Sequence, residues 1–327
     1  MARILLTHTP DMRANYYGPR ALAGLEALGE VMRHEATAPL ADGALIAAAR
    51  GCRVMVADRA TSVPAAVLDA LPELAAVVRV AVDIRNIDVA AASRNGILVT
   101  QASRSWVPAV SELVIGLMID AARGISRANI AYKQGHAPEI TMGRQLSGST
   151  AGIIGYGPLG RNVARLCAAF GMTVLVHDPY VTDYEPGHRA SSLDDVMARA
   201  DFVIPLAVAT EETENLIDKH RLAAMKPTAF LINLSRGNLV DEAALEVALD
   251  RGHIAGAALD VGRAADQMPQ PRLARRTDVI ATPHIGGLTL GAIEGQALET
   301  VTQVAEILAG RAPTGAVNAD TANRLVG

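Results

Sequence analysis

Six short apolar runs lie between residues 149 and 284, and the residues that end them are chemically selective. The first, Ser149 to Ile154, runs into Gly155-Tyr156-Gly157-Pro158-Leu159-Gly160. The second, Met172 to His177, ends at Asp178, and the fourth, Ala229 to Leu234, ends at Ser235-Arg236-Gly237. The fifth, Ala255 to Leu259, ends at Asp260, and the sixth, Asp278 to Thr282, ends at Pro283-His284. Short apolar runs alternating with helical stretches predict a parallel sheet with helices on its faces. In such a sheet ligands collect beyond the carboxyl ends of the strands. A glycine loop, two carboxylates, an arginine and a histidine are therefore expected to gather in one crevice.

The 327 residues allow two domains with sizeable cores. Half of them are apolar but only 3% are aromatic, so alanine, valine and leucine carry the packing. The net charge of −4, with no basic stripe or acidic tail, argues against nucleic acid and anionic membranes as partners. Cys52 and Cys167 have neither CxxC nor Cys/His spacing and read as buried, reduced thiols of a cytoplasmic protein; no metal-ligand pattern is present. The start, Met1 to Thr7, reads as a first strand rather than a signal peptide, and no charge-free apolar run reaches the roughly 18 residues of a membrane span.

Residues 1 to about 100 alternate strand-like and helix-like stretches: strands at Ile4–Leu6, Arg53–Val56, Ala76–Val82 and Ile97–Val99, and helices at Pro19–Leu28 and Val63–Leu71. A polar stretch, 102–108, leads into a helix with Val110, Leu113, Val114, Leu117, Met118 and Ala121 on one face and Gly124 behind it. This helix is either a buried linker between domains or a subunit contact. The last helix, 289–310, precedes the Pro/Gly-rich 310–315, and the tail is expected to return to the first domain. The expected division is thus 1–102 plus 289–327, and 103–288, with the active cleft between them.

The glycine loop follows a strand, opens a helix and is trailed by a second strand ending in Asp178, eighteen residues after Gly160. That context points to a dinucleotide. Gly155 allows the tight turn, Gly157 lets a pyrophosphate approach the backbone, and Gly160 lets helix and strand pack closely. Pro158 brings no N–H, which leaves Leu159 and Gly160 as donors. Asp178 suits the ribose hydroxyls of NAD and repels a 2′-phosphate, and neither Pro179 nor Tyr180 offsets it.

With these residues in view, the chain resembles the D-isomer-specific 2-hydroxyacid dehydrogenases over nearly its whole length. The resemblance is carried by the glycine loop, by Asn233-Leu234-Ser235-Arg236-Gly237-Asn238-Leu239-Val240-Asp241-Glu242, by Gly256-Ala257-Ala258-Leu259-Asp260-Val261 and by Thr282-Pro283-His284-Ile285-Gly286-Gly287. It implies a Rossmann-type doubly wound α/β domain, a smaller flavodoxin-like α/β domain, a homodimer, and NAD-dependent, reversible reduction of a small 2-oxo acid to the D-2-hydroxy acid. An alternative is an NAD-responsive binding or corepressor-like protein of the same fold. Arg236 has the planar fork to grip carboxylate and carbonyl oxygens, and His284 offers an imidazole, a group able both to donate and to accept a proton.

By resemblance, Asp260 faces the nicotinamide carboxamide, and the loop holding Val82 and Asp83 receives the substrate carboxylate. The run Ile204 to Thr210 departs from the family's more polar one, so cofactor contacts there, Thr210 included, are expected to be mainly backbone ones, and two further departures stand out. The family places a glutamate five residues after the aspartate, where this chain has Ala265; Asp266, one residue later, is the candidate partner of His284, or else an exposed loop carboxylate. The family also carries glycines where this chain has 81–88. An ionised Asp83 at about 4 Å would repel a substrate carboxylate by about 1 to 4 kcal/mol, unless it turns outward, Arg85 or Arg104 offsets it, or the substrate carries a compensating group. Trp106 is either a pocket wall or packing beneath the long helix.

Overall fold

The computed structural model describes residues 1–325 and divides into two compact units: residues 1–105 together with the segment from Leu290 on, and Trp106–Thr289. In the first unit, strands β1 (Arg3–Leu6), β2 (Glu30–Arg33), β3 (Val54–Ala57), β4 (Ala76–Arg79) and β5 (Leu98–Thr100) form a parallel sheet in the order β2-β1-β3-β4-β5. This is the flavodoxin-like order. Strands β3 and β4 are buried at every residue, which is why they read as unbroken apolar runs.

Helices cover both faces of this sheet. One face packs Leu5, Met55 and Val77 under Leu45, Val67, Leu68 and Ala91. The other packs Ile4, Val56 and Val78 against Leu25 and against Ala297, Val304 and Ile307 of the helix Leu290–Leu308. A Cβ on Gly24 would lie 2.8 Å from Val301, so a small residue is needed where these two helices meet. Beyond that helix the chain pairs with β5: the Val317 N–H donates to the Val99 carbonyl, and the Asn318 side chain bridges the Val99 N–H and the Ile97 carbonyl.

The second unit holds seven parallel strands: β6 (Thr150–Ile154), β7 (Thr173–His177), β8 (His188–Ala190), β9 (Phe202–Pro205), β10 (Phe230–Asn233), β11 (Gly256–Leu259) and β12 (Val279–Ala281). Their order is β12-β11-β10-β9-β6-β7-β8. The chain winds outward from β6 to β8, then returns to the other side of β6 at β9 and winds the opposite way. The β6/β9 boundary is therefore the topological switch point, and β6 delivers the glycine loop there. The two sheet faces carry separate cores built almost wholly from aliphatic side chains.

Some elements differ from the sequence reading. The helix over 63–71 shortens to Ala65–Asp69. The strand from Ala76 stops at Arg79, where the guanidinium turns inward to the Ala57 carbonyl and the Asn86 side chain. Strand β2 is exposed or half-buried along its length and lacks an apolar run. The helix Val107–Arg123 is buried on several sides within its own unit, packing on β10, β11 and the helix Pro158–Ala169. Its bulk is thus internal. Exposed apolar side chains lie instead on the next helix, Ile125–Lys133, at Ile125, Ile130 and Tyr132, and beyond it at Ile140 and Met142. Trp106 is half-buried and packs against the same core as Val110. Both cysteines are buried, and burial pushes the Cys167 thiol up to about 12.

Candidate active site

Strands β10, β11 and β12 are neighbours and parallel, so the segments after them leave the sheet along one edge at the strand spacing of about 4.8 Å. The first segment carries Arg236, the second begins with Asp260, and the third carries His284.

Arg236 is exposed, and its position follows from the buried Asn233 at the end of β10. The Asn233 amide donates to the Arg236 carbonyl and its oxygen accepts from the Ser235 N–H, closing a turn that projects the guanidinium. One guanidinium nitrogen donates to the Ser235 carbonyl at 2.7 Å. Gly237 follows where no side chain fits, since a Cβ would stand 2.3 Å from the Gly262 backbone.

Asp260 is 1% exposed. One of its oxygens accepts from the Thr282 hydroxyl at 2.6 Å and the Ile285 N–H at 2.8 Å; the other accepts from the Gly286 N–H at 2.8 Å. The carboxylate thus grips the loop on both sides of His284. Both of its oxygens are engaged by the segment that follows β12.

His284 is half-buried with a φ of 56°, a strained conformation for a residue with a side chain. Its Nδ1 lies 2.8 Å from the main-chain carbonyl oxygen of Asp266. A carbonyl only accepts, so Nδ1 carries a hydrogen, and in the neutral ring Nε2 is left with the lone pair. The ring thus donates to the main chain of residue 266, the residue whose carboxylate the sequence offers as its partner. Asp266 and Gln267 themselves have φ values of 53° and 58°.

The glycine loop sits at the head of β6. Gly155 has a φ of 101°, and a Cβ there would meet the Ala207 nitrogen at 2.6 Å; one on Gly160 would meet the Gly155 oxygen at 2.1 Å. A Cβ on exposed Gly157 would meet nothing within 4 Å, so this backbone is open to an incoming group. Gly157 caps the helix Pro158–Ala169 without a side-chain bond, which leaves the first-turn N–H groups of Leu159 and Gly160 as the donors beside Pro158. Asp178 is partly buried: one oxygen accepts from the Tyr156 N–H at 2.7 Å and the other from the Tyr180 N–H at 2.9 Å. Each carboxylate oxygen keeps acceptor capacity for a further donor. Arg161 stacks over the Tyr156 ring at 4.3 Å and stiffens the loop. Thr210 is exposed in a turn closed by its N–H to the Thr213 hydroxyl. Open backbone, uncapped helix start and fixed carboxylate fit a dinucleotide.

In the first unit, Val82 and Asp83 lie beyond β4, with Val82 half-buried and Asp83 exposed. Arg85 grips both Asp83 oxygens, at 2.9 and 2.6 Å. Hydrogen bonding by Arg85 lowers the Asp83 carboxyl to about 2. Of the ways to relieve its repulsion, the structure contains the Arg85 pair. Sequence reasoning missed the buried group at the ends of β1, β3 and β4. There Asp58 accepts from the Thr7 and Thr61 hydroxyls and the Ala60 and Thr61 N–H groups. His8 is buried beside it, its Nδ1 without a hydrogen-bond partner. Among the described residues, no group of three or more His, Cys, Asp or Glu is placed to hold a metal.

Residues 115–286 match the model of the D-isomer specific 2-hydroxyacid dehydrogenase NAD-binding domain. The chain is 37% identical to D-3-phosphoglycerate dehydrogenase of Mycobacterium tuberculosis over 278 residues, 84% of this chain and 52% of that protein. It is 33% identical to hydroxypyruvate reductase of Thermotoga maritima over 254 residues, 77% of this chain and 83% of that protein. A solved protein of Thermus thermophilus superposes with a TM-score of 0.83 at 31% identity, covering 96% of this chain and 99% of that one. The chain spans about half the length of the D-3-phosphoglycerate dehydrogenases it matches. It has an NAD-binding domain and belongs to the D-isomer-specific 2-hydroxyacid dehydrogenase family.

Proposed function

We propose that this protein reduces a small 2-oxo acid to the D-2-hydroxy acid, reversibly, with NAD(H). The observation that carries the reading is the fixed imidazole: Nδ1 is held by the Asp266 carbonyl, so Nε2 is the nitrogen left for substrate, on the sheet edge that also bears Arg236. When bound, the nicotinamide supplies the hydride in one direction and accepts it in the other.

Arg236 holds the substrate carboxylate and draws charge from the carbonyl oxygen. In reduction, imidazolium His284 donates its Nε2 proton to that oxygen; in oxidation, neutral Nε2 takes the proton from the hydroxyl. The Nδ1–H bond to residue 266 is compatible with both states, because Nδ1 keeps its hydrogen throughout. Asp266 thereby acts through its main chain, and Asp260 acts on the cofactor side through the loop it grips. Gly155, Gly157, Pro158, Leu159 and Gly160 form the pyrophosphate cradle, Asp178 receives ribose hydroxyls, and Thr210 contributes backbone. Val82 and Asp83 belong to the substrate-binding domain, 1–102 plus 289–327, and the dinucleotide-binding domain is 103–288.

The working form in this proposal is a cytoplasmic homodimer. The exposed Ile125, Ile130, Tyr132, Ile140 and Met142 give a second copy an apolar surface to cover. Buried thiols suit a reducing compartment.

NADH oxidation with a panel of glyoxylate, hydroxypyruvate, pyruvate and bulkier or charged 2-oxo acids tests the reading. Turnover of at least one, with a D-configured product, is expected. NADH binding without turnover of any would overturn it.

A further inference from the structure

Four non-glycine residues among those described have positive φ: Asn215, Asp266, Gln267 and His284. Two of them are adjacent, at 266 and 267; His284 bonds to the backbone of residue 266, and Asn215 is joined to the same loop by the Arg263 side chain. Such conformations are costly for residues with side chains and persist only where the surroundings over-determine them. Apolar anchoring of the loop 261–269 is slight: Val261, Gly262 and Pro269 are buried, and residues 263–268 are exposed or half-buried.

Hydrogen bonds hold the loop instead. Inside it, the Gly262 N–H donates to the Gln267 carbonyl at 2.7 Å and the Ala264 N–H to the Met268 carbonyl at 3.0 Å. From outside, the Arg263 N–H donates at 2.9 Å to Glu242, a buried carboxyl whose ordinary proton affinity is raised by that burial. The Arg263 guanidinium then reaches across. One nitrogen pairs with Glu214 at 2.7 Å; the other donates to the Asn215 side chain at 2.7 Å and to the Asn238 carbonyl at 3.1 Å. Glu214 also accepts from the Asn238 amide at 2.9 Å. Residue 238 belongs to the turn Gly237–Leu239 that immediately follows Arg236, and Gly237 lies backbone to backbone against Gly262.

We propose that Arg263 is a positioning residue for His284, bracing the loop whose residue 266 carbonyl receives the imidazole Nδ1–H against the turn that carries Arg236. The inference rests on the reading of His284 as the proton carrier. Its physical content is narrower: Arg263 decides which imidazole nitrogen bears the hydrogen. Without the guanidinium, the loop keeps the bond from the residue 263 N–H to Glu242 but loses its side-chain tether to the turn after Arg236, three residues before the strained pair. The carbonyl then shifts, and the ring exchanges between its two neutral tautomers. Only one of these presents a lone pair at Nε2.

The test uses the full-length protein as Arg263→Ala, Arg263→Lys and Glu214→Gln. The imidazole nitrogens are read by 15N NMR in histidine-labelled protein, with His284→Ala identifying the resonance. Wild type is expected to show hydrogen on Nδ1. Arg263→Ala is expected to show a mixture, with kcat lower by about tenfold, the scale of a misplaced catalytic group, and the KM for NADH unchanged. Arg263→Lys is expected to recover little, because a single ammonium cannot span a carboxylate, an amide and a carbonyl. If Arg263→Ala does not fold, Glu214→Gln decides, with a smaller shift of the same sign. Unchanged tautomer and kcat in a folded variant would overturn the proposal. The tautomer is read without turnover, so loss of the redox reading through an active His284→Ala would leave this result distinct.

Discussion

The glycine loop after β6 and the loop 261–269 after β11 are both tight connections at one sheet edge, yet they reach their shapes by opposite means. In the first, positive φ falls on Gly155, and the close approaches are made by residues with no side chain to collide. In the second, positive φ falls on Asp266 and Gln267, which keep their side chains in a loop tied down at Arg263, whose N–H donates to Glu242 and whose guanidinium donates to Asn215. The first loop is specified by residue type; the second is specified by its neighbours. A binding cradle can therefore be rigid without strain, whereas the support of the imidazole stores strain that its surroundings maintain.

The largest effect expected from a side chain at this edge belongs to Arg236. Arg236→Ala removes the carboxylate grip and should lower kcat/KM by about a thousandfold, with NADH affinity retained in a fluorescence titration. Equal loss of NADH binding would break the separation between cradle and catalytic edge.

His8, beyond β1, and His284, beyond β12, extend the contrast. His8 is buried, and burial lowers its pKa from the ordinary 6.5 to about 4. The unfolded chain binds this proton more readily, so the contribution is fully present above about pH 6.5 and is lost as pH falls toward about 4. The loss amounts to about 3 kcal/mol at most, read as the flattening of stability against pH in His8→Gln urea titrations. An unchanged slope would place the acid sensitivity elsewhere.

Within the cradle, Gly160→Ala should destabilise by about 1 to 3 kcal/mol, since its Cβ would stand 2.1 Å from a backbone oxygen. Gly157→Ala should leave stability within about 0.5 kcal/mol while weakening NADH binding, because only an incoming cofactor would meet its methyl. Thermal melts and titrations on the pair separate the two roles. On the strained side, Gln267→Gly should stabilise by up to about 1 kcal/mol, because glycine adopts positive φ freely and the buried, unpartnered Gln267 oxygen is removed. Destabilisation there would show that the loop holds no strain to release.

What was legible in the sequence follows the same division. Sterics demand glycine at 155 and 160, and strand ends concentrate Arg236, Asp260 and His284, so the glycine loop and the edge proposed for catalysis are both legible in the letters. The partner of His284 was not legible as such. The sequence offers the Asp266 carboxylate as that partner; the Nδ1 bond to the main-chain carbonyl of the same residue is not readable there, because every residue possesses such a carbonyl. Arg263 carried no signal either, since its partners at 214, 215 and 238 are joined only by the fold. Likewise the His8, Asp58 and Arg79 group is assembled by three strands that are separate in sequence.

The proposed chemistry depends above all on Nε2 of His284 moving the proton. Its most direct test is stopped-flow oxidation of pre-bound NADH by His284→Ala, with whichever 2-oxo acid the wild type turns over. Unaltered NADH affinity and a hydride-transfer rate lower by about 100-fold or more are expected; a rate equal to wild type would contradict that role.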